Sequence, residues 1–290
     1  MLKRVLNRTG PDFVDEVSRS HFLSADRPAS QDVTAAVVIP ARLEASRFPR
    51  KVLARDTGKY LIQHVYEAVV GATGVRRAII ATDSEEVGEA AREFGAEFMM
   101  TSADHVSGTD RVAEVALQLD EDIVINVQGD EPLMIHEDLE RLIAALTPSS
   151  EGAEAVPACP MATLVRPRTD SAGYLEPSNV KVVVDAHERA LYFSRAPIPS
   201  CSHGGSGAEK GLEVEWLHHI GVYGFRREFL QVFTELPATA LEKQERLEQL
   251  RVLENGYNIQ IVRTEHEYLG IDTPEEYREF VALHARSSQG

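Results

Sequence analysis

Cysteine is scarce in this 290-residue chain, which carries only Cys159 and Cys201. Two thiols cannot build a disulfide framework, and a chain this long can bury a core without one. Both are therefore read as reduced thiols of a cytoplasmic protein. Cys201 and His203 lie close together in a polar loop, but two candidate ligands without partners do not make a metal site. Long apolar runs are missing too. None approaches the roughly 18 residues that a membrane span needs. Lys3 and Arg4 are followed by Asp12, Asp15 and Glu16 rather than by the apolar core of a secretory signal. Positive charge is the third shortage, with 30 Lys and Arg against 46 Asp and Glu and a formal net charge of −16. That balance argues against sequence-independent binding to nucleic acid or to an anionic membrane, both of which rest on clustered cations. It leaves room for an anionic small molecule in a cleft where a few cations are concentrated. Internal repeats and low-complexity tracts are absent.

What is present is an alternation of apolar runs and helical periodicities. Residues 1–34 read as an N-terminal extension with a short helix around Asp12–Phe22, and order begins at Ala35. Ala35–Ile39, Ala78–Ala81, Glu97–Met100 and Ile123–Val127 read as strands. Lys59–Val70, Glu85–Phe94 with Ser84 as its cap, Thr109–Leu119 and His136–Leu146 read as helices between and after them. This order predicts an α/β fold with a mostly parallel central sheet and helices on both faces, whose ligands sit beyond the carboxyl ends of the strands. The second half is richer in strands: Val180–Val184, Ala190–Phe193, Ile220–Phe225, Ile259–Val262 and Tyr268–Ile271. It reads as a smaller β-rich subdomain. Leu241–Asn255 and Pro274–Ala285 read as helices, and Ser200–Glu213 as a Gly/Ser-rich loop. One domain over 35–285 is expected, with a C-terminal tail at 286–290.

Several segments carry chemistry. Pro40 to Lys51 places Arg42, Arg47, Arg50 and Lys51 in the loop leaving the first strand, and Arg grips phosphate oxygens in pairs while Lys acts as a point charge. The same composition would also suit a solvated basic loop. Asp83, after the second strand, reads as a possible nucleotide contact beside the Ser84 cap. His105 to Arg111 opens a helix with small residues, suiting either an ordinary cap or close approach of backbone N–H groups to a ligand. Gln128-Gly129-Asp130-Glu131 sets adjacent acids directly after an apolar strand, which is costly unless a cation is near, and Mg²⁺ takes one or two carboxylates with phosphate oxygens and water. Asp272 is either a helix cap or a second such carboxylate. Glu248 and Arg251 share a helical face and suit a surface ion pair, while His218 and His219 suit packing or a site.

Together, Pro40-Ala-Arg42…Ser46-Arg47…Pro49…Lys51, Ser107-Gly-Thr109-Asp-Arg111, Asn126-Val-Gln128-Gly-Asp130-Glu-Pro132, Leu191-Tyr-Phe-Ser194-Arg195, Leu247-Glu248-Gln249-Leu-Arg251 and Ile271-Asp272-Thr-Pro274 resemble the CMP-Kdo synthetase (3-deoxy-manno-octulosonate cytidylyltransferase) family, in the family's order. The resemblance implies that CTP and the acidic sugar Kdo are joined with release of pyrophosphate, for lipopolysaccharide synthesis, by a cytoplasmic homodimer. It implies that Arg42, Arg47 and Lys51 hold the triphosphate, and that Pro40, Ala41, Ser107, Gly108, Thr109 and Arg111 surround the cytosine or the phosphates. Gln128 is placed against either substrate. Asp130 and Asp272 are implied to hold Mg²⁺ and, with Arg42 and Lys51, to be catalytic. Arg195, His219, Tyr223, Glu248 and Gln249 are implied to line the sugar site. On this reading, residues 35–150 mainly bind CTP, and 151–270 mainly bind the sugar and form the dimer.

The chain departs from the family pattern in Arg50, where Gly is usual, in residues 1–34 and in the loop Ser200–Glu213. The alternatives are a cytidylyltransferase for another acidic sugar, such as sialic acid or an amino analogue of Kdo, and a non-catalytic nucleotide-binding relative that kept the fold. A glycosyltransferase is disfavoured because no Asp-x-Asp follows a central strand.

Overall fold

The computed structural model describes residues 33–44, 47–148, 159–200 and 215–287. The expected helix at Asp12–Phe22, the pair Cys201 and His203, and nearly all of the Ser200–Glu213 loop lie outside the described residues. Strand β1 (Ala35–Pro40) is buried at every position. Ala35, Val37 and Ile39 enter one apolar cluster while Ala36 and Val38 enter a second on the opposite face. That two-sided burial accounts for an unbroken apolar run, the signature of a central parallel strand.

Helix α1 (Leu61–Val69), β2 (Val75–Thr82), α2 (Glu85–Glu93), β3 (Glu97–Met100), α3 (Gly108–Ala116), β4 (Ile123–Asn126) and α4 (His136–Leu146) follow in alternation. Ser84 caps α2 as its sequence suggests, accepting from the Val87 N–H. Beyond α4 come β5 (Met161–Arg168), a short α5 (Ser171–Leu175), β6 (Lys181–Val184), β7 (Ala190–Ser194), β8 (Trp216–Arg226), α6 (Arg227–Glu235), α7 (Ala240–Glu245), α8 (Leu250–Glu254), β9 (Ile259–Arg263) and α9 (Pro274–Ser287).

These strands form one sheet in the order β3-β2-β1-β4-β8-β5-β9, with β6 and β7 attached beside β8. β3, β2, β1 and β4 are mutually parallel. β8 then enters antiparallel between β4 and β5, and β9 lies parallel to β5. The sheet is therefore continuous through both halves of the chain. β6 and β7 form an antiparallel ribbon that pairs with the start of β8; of the strands expected in a smaller β-rich part only these two lie off the main order, since β8 and β9 belong to it.

Three sequence expectations change. Leu241–Asn255 is not one helix, because Arg246 takes a left-handed conformation (φ 56°) and separates α7 from α8. Tyr268–Ile271 is not a strand. It is an extended tether whose Ile271 N–H donates to the Asp130 carbonyl at 3.0 Å. β5 is an addition to the strands expected from the sequence and lies between β8 and β9.

Candidate functional site

Three strand ends converge at the carboxyl edge of the parallel half. The Ala41 N–H donates to Ala81 O at 2.8 Å, which ties the end of β1 to the end of β2. After β4, Gly129 lies so close to β1 that a Cβ there would stand 3.0 Å from the Pro40 carbonyl oxygen. Gly108, first residue of α3, is hemmed in likewise: its Cβ would meet Gln128 Oε1 and Pro40 Cγ, each at 3.3 Å. Pro40, Ala41, Gly108 and Gln128, drawn from three loops, thus share one small region. Backbone approaches backbone at Gly129, and the Pro40 and Gln128 side chains close over Gly108, because both positions lack side chains.

The cations of the first loop have specific partners. Arg42 donates to the carbonyls of His105 (2.5 Å) and Ser107 (3.1 Å), fastening the loop to the turn before α3. Lys51 donates to Asp130 Oδ2 at 2.5 Å, Ile271 O at 2.8 Å and Asp272 Oδ1 at 3.0 Å. Arg47 reaches the other oxygen of Asp272 at 2.7 Å, with most of its side chain exposed. Asp130 and Asp272 therefore meet on one ammonium group. Asp272 is free to do so because it does not cap α9. Thr273 does, in a reciprocal arrangement: the Glu276 N–H donates to Thr273 Oγ1, and the Glu276 carboxylate accepts from the Asp272 and Thr273 N–H groups. Burial draws the Lys51 pKa down, but the Asp130 and Asp272 carboxylates outweigh it and leave the ammonium favoured.

Glu131 stands beside this pair. Burial, then Asp130 and Asp272, push its pKa up to about 8 against the opposing pull of Lys51, and its Oε2 is buried without a hydrogen-bond partner. Three acidic side chains with one orphaned oxygen make a place that a divalent cation would relieve. Among the described residues no group of three His, Cys, Asp or Glu forms a ready cage. The donor set suits Mg²⁺ held by two carboxylates and completed by phosphate oxygens and water.

The turn into α3 divides its residues between tasks. Ser107 and Asp110 form a capping box, each side chain accepting from the other's N–H at 3.0 Å. Arg111, expected against the nucleotide, is fully buried. Its guanidinium donates to Asp83 at 2.9 Å and to Thr101. Arg111 and Asp83 here hold the ends of β2 and β3 to α3, because the side chain at this position of the helix points into the core. Thr109 is likewise only 1% exposed, and its hydroxyl is engaged by Asn126 and Glu248.

A second region is built on β8. Thr163 Oγ lies 2.8 Å from Val222 O, 3.2 Å from Ile220 O and 3.0 Å from His219 Nε2, filling a register shift between β5 and β8. Both carbonyls only accept, so the hydroxyl proton goes to them. On that basis we assign the hydrogen of His219 to Nε2, which leaves Nδ1 as an acceptor. Burial, then the neighbouring His218, lowers the His219 pKa to about 3, so the ring is neutral. It packs against Tyr223 and Phe193, with ring centroids at 5.5 Å and 5.1 Å. Tyr223 donates to Gln249 Oε1 at 3.2 Å, and Glu248, next in the chain, accepts from Thr109 Oγ at 2.6 Å. Burial raises the Glu248 pKa, and the Thr109 hydrogen bond opposes that shift.

The expected Glu248–Arg251 ion pair does not form, since Arg251 pairs with Glu242 instead. His219, Tyr223, Glu248 and Gln249 are brought together. Arg195 is set apart: its guanidinium donates to the carbonyls of Glu245 (2.8 Å) and Pro177 (3.2 Å), and its own carbonyl accepts from the buried Lys181 ammonium. Sequence reasoning marked Glu131 only as the acid beside Asp130 and passed over Thr163, Lys181 and Glu245. Thr163 and Glu245 act through contacts about 50 residues away in the chain, and nothing in composition marks the lysine that gathers the carbonyls of Glu176, Asn179 and Arg195.

Known proteins resemble this chain along most of its length. A family model described as cytidylyltransferase matches residues 36–261. A 3-deoxy-manno-octulosonate cytidylyltransferase of Syntrophotalea carbinolica is 47% identical over 245 residues, covering 82% of this chain and 94% of the relative. One from Syntrophobacter fumaroxidans is 45% identical, covering 87% and 98%. A solved CMP:2-keto-3-deoxy-manno-octonic acid synthetase complexed with CTP superposes with a TM-score of 0.78 at 41% identity, covering 88% of this chain and 99% of that one. An inositol-1-phosphate CTP transferase from T. maritima shares the fold at 13% identity, with a TM-score of 0.57 over 90% and 98%.

Proposed function

Since the chain belongs to the 3-deoxy-manno-octulosonate cytidylyltransferase family of cytidylyltransferases, we propose that it activates Kdo with CTP, giving CMP-Kdo and pyrophosphate. The observation that carries this reading is the meeting of Asp130 and Asp272 on Lys51, beside the crowded junction of Pro40, Gly108 and Gln128. In this reading a cation-and-triphosphate centre adjoins the enclosed polar cluster on β8, which would hold the sugar.

In this reading Lys51, Arg47 and Arg42 face the triphosphate, and the N-terminus of α3 offers N–H groups to an anion or a base edge. Before substrate arrives, Lys51 and Arg47 are neutralised by Asp272 and Asp130. An incoming polyanion exchanges those internal ion pairs for pairs with phosphate. Asp130 and Asp272 would hold Mg²⁺, which supplies charge neutralisation on the phosphates and on the departing pyrophosphate. The anomeric hydroxyl of the sugar attacks the α-phosphorus as the bond to pyrophosphate breaks. Alignment of these two partners by the Gln128 junction and the β8 pocket supplies the entropic part of the acceleration. His219, Tyr223, Glu248 and Gln249 give the sugar a neutral imidazole, a phenol, a carboxyl and an amide. Arg195 serves this pocket as a brace between β7 and α7. We place the enzyme in the cytoplasm as a homodimer that supplies lipopolysaccharide synthesis.

The test is release of pyrophosphate from CTP and Mg²⁺ by the purified protein with and without Kdo. Kdo-dependent release is expected. No release with Kdo, or faster turnover with sialic acid or an amino analogue of Kdo, would overturn the assignment.

A further inference from the structure

One residue touches both halves of the site. The backbone of Thr109 lies in the first turn of α3, beside Gly108 and Gln128, while its side chain turns the other way and holds Glu248. The polar contacts there run in a fixed direction. The Gln128 amide donates to Asn126 Oδ1 at 2.9 Å, the Asn126 amide to Thr109 Oγ at 3.3 Å, and the Thr109 hydroxyl to Glu248 Oε1 at 2.6 Å. The order follows from chemistry. A hydroxyl has one proton, and with an amide N–H aimed at its oxygen that proton goes to the carboxyl. Asn126 also sits opposite Tyr223 in the β4–β8 ladder, and Tyr223 holds Gln249, the neighbour of Glu248. The contacts close a ring of Asn126, Thr109, Glu248, Gln249 and Tyr223. Asn126 and Thr109 are at most 1% exposed, so water does not stand in for a lost member.

We propose that Thr109 is a positioning residue that couples the two subsites, so that a nucleotide bound at the α3 turn strengthens the hold on the sugar at Glu248 and Gln249. The inference rests on the CTP-and-Kdo reading above. A ligand that draws on the first N–H groups of α3 or on Gln128 cannot shift that turn without carrying the Thr109 hydroxyl relative to Glu248. A sugar that orders Glu248 restrains the same turn in return, because coupling free energy is reciprocal.

The experiment uses the full chain with Mg²⁺ and titration calorimetry. The Kd for Kdo is measured alone and with saturating CTP analogue carrying a methylene bridge between the α- and β-phosphorus. The wild-type protein is expected to bind Kdo about tenfold more tightly with the analogue present. Thr109→Val, of the same shape but without the hydroxyl, brings that ratio close to one, and Thr109→Ser restores it. Asn126→Ala lowers the ratio from the other side of the hydroxyl and carries the test alone if Thr109→Val does not fold. A residue that only supports the fold would lower thermal stability while leaving the ratio unchanged. The proposal is overturned if a folded Thr109→Val or Asn126→Ala protein keeps the wild-type ratio, or if the wild-type protein binds both ligands with a ratio of one. Failure of the wild-type protein to bind either ligand would overturn the functional reading as well, and is distinguishable from these.

Discussion

Around Lys51, opposite charges meet close to the surface. Asp272 is nearly half exposed, Arg47 more so, and each ionic group is compensated by a neighbour. Around Tyr223, by contrast, the groups are enclosed and mostly neutral: His219 has lost its proton, Tyr223 and Gln249 face each other, and Thr163 fills a strand irregularity. The first region suits a ligand that brings its own charge and metal, because charged partners can be exchanged at little cost where water reaches them. The second suits a ligand recognised by shape and hydrogen-bond direction, because misplaced polar atoms are costly where water does not reach.

Substitutions at the two acids should separate the regions most sharply. Asp130→Asn and Asp272→Asn are each expected to lower turnover by about 10²–10³-fold, the scale of losing one preorganised electrostatic group at a reacting centre. The unfolding midpoint should stay near that of the parent protein, because Thr273 and not Asp272 caps α9. Steady-state rates and thermal unfolding check this, and near-normal turnover in both variants would remove their metal role.

Next in size is Arg111→Met. Removing a buried guanidinium that pairs with Asp83 should cost about 3 kcal/mol of stability in chemical denaturation, the low end for breaking a buried pair because Asp83 retains some water. CTP affinity of the folded protein should hold. Weakened CTP binding with normal stability would return Arg111 to the nucleotide.

The enclosed region should respond to acid. The His219 pKa is about 3 in the folded chain against an ordinary 6.5, so the unfolded chain binds the extra proton between those values. Stability contributed by the neutral ring is present above pH 6.5 and declines as pH falls toward 3, with a limiting slope of about 1.4 kcal/mol per pH unit. His218, lowered to about 4, adds to the same trend. Thermal unfolding between pH 7 and pH 4.5 should show a shallower decline for His219→Gln, and an identical slope would contradict the assignment.

The smallest effect is expected at Arg50, whose φ of 61° lies where glycine is favoured and whose side chain pairs with Glu86 at the surface. Arg50→Gly relieves strain, forfeits an exposed ion pair and loosens the unfolded chain. These opposing terms should leave stability within about 1 kcal/mol. A loss of more than about 2 kcal/mol would show that the Glu86 pair anchors the loop after β1 far more strongly than an exposed contact should.

Much of this arrangement is legible in the sequence where burial is two-sided or where composition marks a loop. β1, β2 and β4 announce themselves as apolar runs, and the polar segments after β1 and β4 follow from where parallel strands end. Asp130 is legible because acids rarely follow a buried strand without cause, whereas Asp272 follows no strand and is singled out only by the family resemblance. The break at Arg246 is hidden because arginine is a good helix former, and the left-handed conformation that ends α7 is marked only by a local bond from its N–H to the Glu242 carbonyl. The burial of Arg111 and Thr109 is hidden for another reason. A helix-opening motif tells which residues are adjacent in the chain but not which face of the helix meets the core. Thr163 is invisible because its role is to fill an irregularity in a neighbouring strand.

The unbroken sheet has a mechanical consequence. β4 and β8 are adjacent strands of one ladder, so the two subsites stand on a common rigid plate, with Asn126 and Tyr223 as fixed marks on it. Such a frame acts as a ruler: residues facing each other across adjacent strands stand about 5 Å apart, and what reaches beyond that spacing is set by side-chain length. Adapting such a plate to a bulkier or smaller ligand therefore calls for changing the length of what stands on β8.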